Sequence, residues 1–333
     1  MAINEAGPAQ AVAPRPRPRR LQLNLQTVLP YVLLLILLAS LFALQPNLFR
    51  MSWVERKTDS TMTLILVVIG QTLVILTGGV DLSVGGVLSL TNALAATQFS
   101  KGGAPMFFWM AVIMAIGLFA GGINGYIIAY LRVQPFIVTL ATWSIWGGLA
   151  LAVLPVDGGS VPDSLYATAT GDIAGIPKSL LLLILLIVGW LIFKRTRFAT
   201  RVYAIGSSAK ASFLSGTNVA RTTVMVYAFS GLFAALAGMY RTINVTSGSP
   251  TGGNSFILNS IAAVVIGGTS LAGGKGGILG PIAGAFILIL ISDLIFFAGI
   301  SSYTSSIIQG LLLIAAVTVY SIADYARRRR RKA

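Results

Sequence analysis

The 333-residue chain contains no cysteine and no histidine. The first absence excludes disulfides, thiolate metal sites and cysteine nucleophiles; the second excludes imidazole acid/base chemistry and histidine-ligated haem. Charge is scarce as well. Only 10% of residues are Asp, Glu, Lys or Arg, and just 9 of them are acidic, whereas a soluble globular chain carries about a quarter charged residues. No phosphate loop of the Gly-x4-Gly-Lys-Ser/Thr type is present, so the chain has no P-loop route to ATP hydrolysis. No paired carboxylates, serine triad or metal cluster can be assembled from the residues it has.

What is present in excess is apolar residue: 56% of the chain, with a mean hydropathy of +0.85. A bilayer core needs about 20 apolar residues per helix. Apolar runs of about this size recur at 27–44, 60–76, 87–99, 107–131, 136–154, 179–193, 222–243, 255–266, 278–298 and 304–322. The expected fold is an all-α polytopic membrane bundle of about ten transmembrane helices. The domain plan is a tail over 1–26, one transmembrane domain over 27–322 and a basic tail over 323–333. The Pro/Arg-rich start has the composition of a disordered tail, and the first apolar run reads as an uncleaved helix.

The net charge of +15 is clustered: Arg15 to Arg20, Lys194 to Arg201, and Arg327 to Lys332 each flank an apolar run. With ten spans and an internal N-terminus, 18 of the 24 basic residues fall on one side. The positive-inside rule makes that side cytoplasmic, along with both termini. Aromatic residues are not interleaved with the basic runs, which argues against nucleic acid as a partner.

Two glycine-rich breaks interrupt the apolar pattern, at 77–86 and 267–277, and they echo one another: Gly78-Gly79-Val80-Asp81-Leu82 against Gly267-Gly268-Thr269-Ser270-Leu271. Paired Gly-interrupted segments are pointers to a transport path. Asp81 is costly at membrane depth unless paired, protonated or wetted. One reading has Asp81, Gly78 and Gly79 line or gate a pathway; the other has Asp81 cap the next helix through the Ser83 and Val84 amides. Gln71, Asn92, Thr139 and Asn254, with Asn124, Thr142, Asn244 and Asn259, are polar residues inside or beside spans. They suit either sugar hydroxyls along a path or hydrogen bonds between helices. Asp293, near the outer end of its span, is expected to be wetted or paired with Arg241. Gly121-Gly122-Ile123-Asn124-Gly125 suits close helix packing.

The run Gly78-Gly79-Val80-Asp81-Leu82-Ser83-Val84-Gly85 resembles the GGIDLSVG signature of permease subunits of ribose-type monosaccharide ABC importers. Pro135-Phe136-Ile137-Val138-Thr139-Leu140-Ala141-Thr142 is similar to that family's PFIVTLAT segment. Tyr203-Ala204-Ile205-Gly206 with Leu214-Ser215-Gly216, and Ala263-Val264-Val265-Ile266-Gly267-Gly268-Thr269-Ser270-Leu271, match two further stretches. The ordered matches span roughly Gly70 to Gly280. The resemblance implies a bacterial inner-membrane subunit that works with a cytoplasmic ATP-binding subunit, an extracytoplasmic sugar-binding protein and a second copy of itself. No cofactor is expected in this chain, ATP and Mg belonging to the partner ATPase. It also implies that 194–221 is the coupling segment, with Ser207, Lys210, Ala211, Leu214, Ser215 and Gly216 facing the ATPase; an ordinary connector is the alternative. Ser207-Ser208-Ala209-Lys210 replaces the acidic pair that the family often carries there, and Leu154-Pro155-Val156-Asp157 departs from its usual Ser/Thr-rich ending. A branched-chain amino-acid ABC permease and an ion-coupled secondary transporter remain as alternatives, the latter short of embedded coupling charges beyond Asp81 and Asp293.

Overall fold

The computed structural model describes residues 25–45, 50–101 and 103–297, with isolated positions beyond. Most of the N-terminal tail, the tenth apolar run at 304–322 and the basic tail at 323–333 lie outside the described residues. The architecture is a helical bundle: α1 (Leu25–Leu44), α2 (Met51–Leu76), α3 (Val84–Gln98), α4 (Gly103–Tyr130), α5 (Pro135–Val153), α6 (Asp163–Ala169), α7 (Lys178–Phe193), α8 (Arg197–Ser207), α9 (Ala209–Leu214), α10 (Val219–Val245), α11 (Asn254–Ile266) and α12 (Leu279–Phe297). Among the described residues, five helices are long and apolar enough to cross a membrane: α2, α4, α5, α10 and α12. The one sheet among them is a two-stranded antiparallel hairpin, β1 (Asp172–Ile173) with β2 (Ile176–Pro177).

The central pillar is α2. From Thr61 to Leu76 every residue is buried, as expected for a stretch that is apolar all round rather than on one stripe. The charged stretch 50–59, which hydropathy separates from the span, is its first turns. Two of those charges find partners: Lys57 Nζ lies 2.8 Å from Asp293 Oδ2 on α12, and Tyr240 Oη on α10 donates to Asp59 Oδ1 at 3.1 Å. The pairing of Asp293 with Arg241 is therefore corrected. Arg241 instead stacks over the Phe256 ring, 5.5 Å from its centroid.

The most extensive helix pairing is α4 with α10. A Cβ on Gly121 would lie 2.8 Å from the Tyr227 carbonyl carbon, with the oxygen nearer still, so only glycine lets the two backbones meet. Gly122, one residue on, faces open space.

The ends of the bundle differ in charge. Arg132, α8, α9 and the second glycine-rich break share one end, where the described residues carry eight Lys/Arg and no acid. Glu55, Asp59, Asp157, Asp163, Asp172 and Asp293 are all at or near the other end. There the connection after α5 pairs with the one after α10 through a Gly158–Gly248 bridge.

Candidate functional site

Both α2 and α11 end by the same device. Gly78 has φ 83° and Gly268 φ 78°; the Gly78 amide donates to Ile75 O and the Gly268 amide to Val265 O, both at 2.9 Å. A left-handed residue just past a helix C-terminus is inexpensive only for glycine. The sequence echo between the two breaks is thus also a local structural one.

After the first cap, residues 79–82 run non-helically before α3 starts, climbing on the order of 3.3 Å per residue. Asp81 lies fully buried in this stretch. It accepts from the Ser83 amide at 3.0 Å, from the Ser83 hydroxyl, and from Ser230 Oγ on α10 at 2.7 Å. Asn124 on α4 donates to Ser83 Oγ at 2.8 Å, so the segment is tied to two helices. Ser230 stands eleven residues into the 27-residue α10, about 16 Å along an axis of about 40 Å. The carboxylate is therefore at mid-height of the bundle. Of the Ser83 and Val84 amides weighed from sequence, Asp81 accepts from Ser83 alone among the described residues; the bond to Ser230 was not legible there.

A second half-length path mirrors this one. After α10 the chain turns back along α3: the Ser249 amide donates to Asn92 Oδ1 at 2.6 Å, and the Gly253 amide to Ser89 Oγ at 3.0 Å. Gly253 then abuts the Gly85 backbone, and α11 starts there. Two short helices, α3 and α11, thus begin at one level inside the bundle and run to opposite ends. Non-helical backbone at such depth is tolerated only inside protein or along a wet cavity.

The sequence-selected polar residues divide on this framework. Asn92 also donates to Thr242 Oγ1 at 2.6 Å, and Thr139 donates to Pro135 O at 2.9 Å; both are buried. Gln71 is buried, with neither amide atom hydrogen-bonded among the described residues. Gly78 and Gly79 are at the break, Gly79 against the Tyr227 hydroxyl. Gly78 is exposed, and of the polar side chains Asn254 alone is; its Oδ1 accepts from Trp143 Nε1 on α5 at 3.1 Å.

The segment 194–221 forms two helices. Thr196 caps α8 by accepting from the Ala199 amide, and Ser208 caps α9 by accepting from the Ala211 amide. Gly216 follows α9, its amide donating to Phe213 O, and Asn218 caps α10 by accepting from the Arg221 amide. Ser207, Lys210, Ala211, Leu214 and Ser215 are exposed on this end. Two large apolar side chains stand out on α9: Phe213 is 67% and Leu214 75% exposed. Phe213 also borders an open groove of ≈ 560 Å³ lined by Ile128, Arg132, Asn218, Val219 and Thr223. On its other side α8 meets both breaks. The Gly274 amide donates to Leu76 O at 2.9 Å, Gly206 presses against the same carbonyl, and Tyr203 Oη donates to Gly276 O at 2.8 Å. Burial pushes the Tyr203 phenol above its ordinary range, so it stays a donor at physiological pH.

The family described as branched-chain amino acid transport system / permease component matches residues 58–317, which hold both breaks, α8 and α9. The chain belongs to this family. Among curated members, the ribose import permease protein of Haemophilus influenzae is 38% identical over 86% of this chain and 90% of its own length. The ribose import permease protein of Escherichia coli K12 is 37% identical over 86% and 91%. The galactose/methyl galactoside import permease protein of the same strain is 32% identical over 90% and 95%. No solved structure matches.

Three groups in this permease escaped the sequence reading. Ser230 and Tyr227, one turn apart on α10, meet the first break from more than a hundred residues away, and nothing local marks them. Phe213 reads as one apolar residue of a short helix until its exposure is seen. Trp143 reads as an ordinary apolar position of a span.

Proposed function

We propose that the chain is the membrane-spanning subunit of an ATP-driven, binding-protein-dependent importer of a monosaccharide. The supporting observation is its near end-to-end similarity to ribose and galactose import permeases. In this reading ten passes, α3 and α11 being half-length ones, leave both termini in the cytoplasm of a bacterial inner membrane. The end with eight described Lys/Arg and no exposed acid is the cytoplasmic one.

Two copies enclose the path. Phe213, Leu214, Lys210 and their neighbours on α9 dock on a separate ATPase that holds ATP and Mg, and an external binding protein delivers the sugar. ATP-driven closure of the ATPase moves α9, and with it α8, whose contacts with Leu76 O and Gly276 O reach both breaks. The ATPase can bias the bundle only by differential contact with its two states. The neutral polar groups of the spans suit hydroxyl-rich cargo.

The family description favours a second reading, a branched-chain amino-acid cargo. Reconstitution with the ATPase and binding protein separates the two: labelled pentose or hexose should accumulate only with ATP, and leucine should not. Accumulation of leucine, or ion-gradient-driven uptake by the chain alone, would overturn the proposal. Leu214→Glu with Ser215→Glu should lose co-purification of the ATPase while membrane insertion is kept.

A further inference from the structure

The membrane-facing surface is not uniformly apolar. Between Pro105 and Ile123 on α4, and between Leu180 and Phe193 on α7, no residue carries a hydrogen-bonding side chain except a tryptophan. On α5 and α11, which the Trp143–Asn254 bond joins, the pattern breaks. Among exposed apolar residues such as Ile137, Ile145 and Leu258, Ser144, Asn254 and Ser255 are exposed, and Trp143 and Asn259 are half-buried. Trp143 and Ser144 stand eight and nine residues into the 19-residue α5, about 12–14 Å along it, and Asn254 is joined to Trp143. These groups are therefore at mid-membrane. Among the described residues, the side chains of Ser144, Ser255 and Asn259 have no hydrogen-bond partner. Hydrocarbon would leave them unsatisfied at a cost of a few kcal/mol each.

The Trp143–Asn254 bond fixes one further thing. An indole N–H can only donate, so the Asn254 oxygen must face it and the amide nitrogen must face away. Asn254 Nδ2 is thus a held donor, without a partner among the described residues, beside a partly exposed indole. An aromatic face next to a few oriented neutral polar groups is the chemistry that takes a polyhydroxylated ring.

We propose that the α5–α11 face, centred on the Trp143–Asn254 pair with Ser144, Ser255 and Asn259, is the wetted surface over which the sugar passes. This rests on the importer reading and says where in the chain the cargo is handled: on this face, with Asp81 holding the first break, Asn92 the turn after α10 and Thr139 bonded within α5. Trp143 has a positioning role toward Asn254 besides lining the path.

The absence of cysteine makes the test clean, because an introduced cysteine is the chain's sole thiol. In membranes carrying the complete complex, Ser144→Cys and Asn259→Cys should react with a charged, water-soluble methanethiosulfonate, whereas Leu185→Cys on the exposed apolar face of α7 should not, since a thiol in hydrocarbon stays un-ionised. In the reconstituted importer, Asn254→Ala and Trp143→Phe should slow ATP-driven sugar uptake about 3- to 10-fold, the weight of a lost hydrogen bond, with the complex still monodisperse. Labelling at 144 and 259 no faster than at 185, with and without ATP, would overturn the inference, and so would wild-type uptake in both path variants. Failure of the unmodified complex to accumulate sugar with ATP would instead strike the importer reading, which the labelling does not need.

Discussion

Gly121 and Gly122 are adjacent in one helix, yet substitution should move stability in opposite directions. A Cβ on Gly122 meets nothing within 4 Å, whereas one on Gly121 would lie 2.8 Å from the Tyr227 carbonyl carbon and 3.0 Å from the Gly231 nitrogen. Comfortable carbon contacts begin at about 3.5 Å. Because the obstacle is the backbone of α10, no side chain can swing aside, and α4 must move off by roughly 1 Å. Replacing an interior helical glycine by alanine gains about 1 kcal/mol of helix propensity, and this gain is common to both variants. Their difference therefore isolates the overpacking, about 1–3 kcal/mol. Gly122→Ala should melt at or above wild type, and Gly121→Ala below it. Thermal unfolding of the purified chain in detergent, followed by loss of monodispersity, reads both. Equal midpoints for the two variants would refute the backbone-contact argument.

Three further outcomes follow from the same geometry. Removing Lys57 leaves the Asp293 carboxylate unpaired with only 18% of its side chain exposed. Lys57→Met should destabilise by about 1–3 kcal/mol, less than for a fully buried pair, and Lys57→Met/Asp293→Leu should recover most of it; a double-mutant cycle in thermal unfolding measures this, and additive losses would contradict it. Asp81→Asn keeps acceptors for Ser83 and should fold, while Asp81→Ala strands the Ser83 and Ser230 donors and should lose about 1–3 kcal/mol; equal expression and melting of the two would count against the tether. A Cβ on Gly206 would sit 3.0 Å from the Leu76 carbonyl carbon, so Gly206→Ala should lower sugar uptake more than ATP hydrolysis in the reconstituted importer, and a parallel fall in both would not support α8 as the link.

Sequence pattern revealed much of the fold because span helices advertise themselves by composition alone. The runs at 136–154, 179–193 and 255–266 recur within one or two residues as α5, α7 and α11. The first turns of α2 were hidden for the opposite reason: five charged residues between Arg50 and Asp59 resemble a loop until Asp293 and Tyr240 are seen across from them. The first break showed as a glycine run, yet its depth did not, since depth is set by Ser230, 149 residues away. Exposure was the other invisible quantity. Asn92 and Asn254 are alike in sequence context, but one is clamped between Thr242 and Ser249 and the other stands on an open face.

The tie from Asp81 to Ser230 and from Ser83 to Asn124 has a kinematic consequence. It fastens one extended strand of chain to α10 and α4, which are themselves locked backbone to backbone at Gly121. Those three pieces can turn only as one body. Any alternation of access must then be a movement of other helices about that block, to which α5 and α11 are joined through α3 at Gly86 and Gly85.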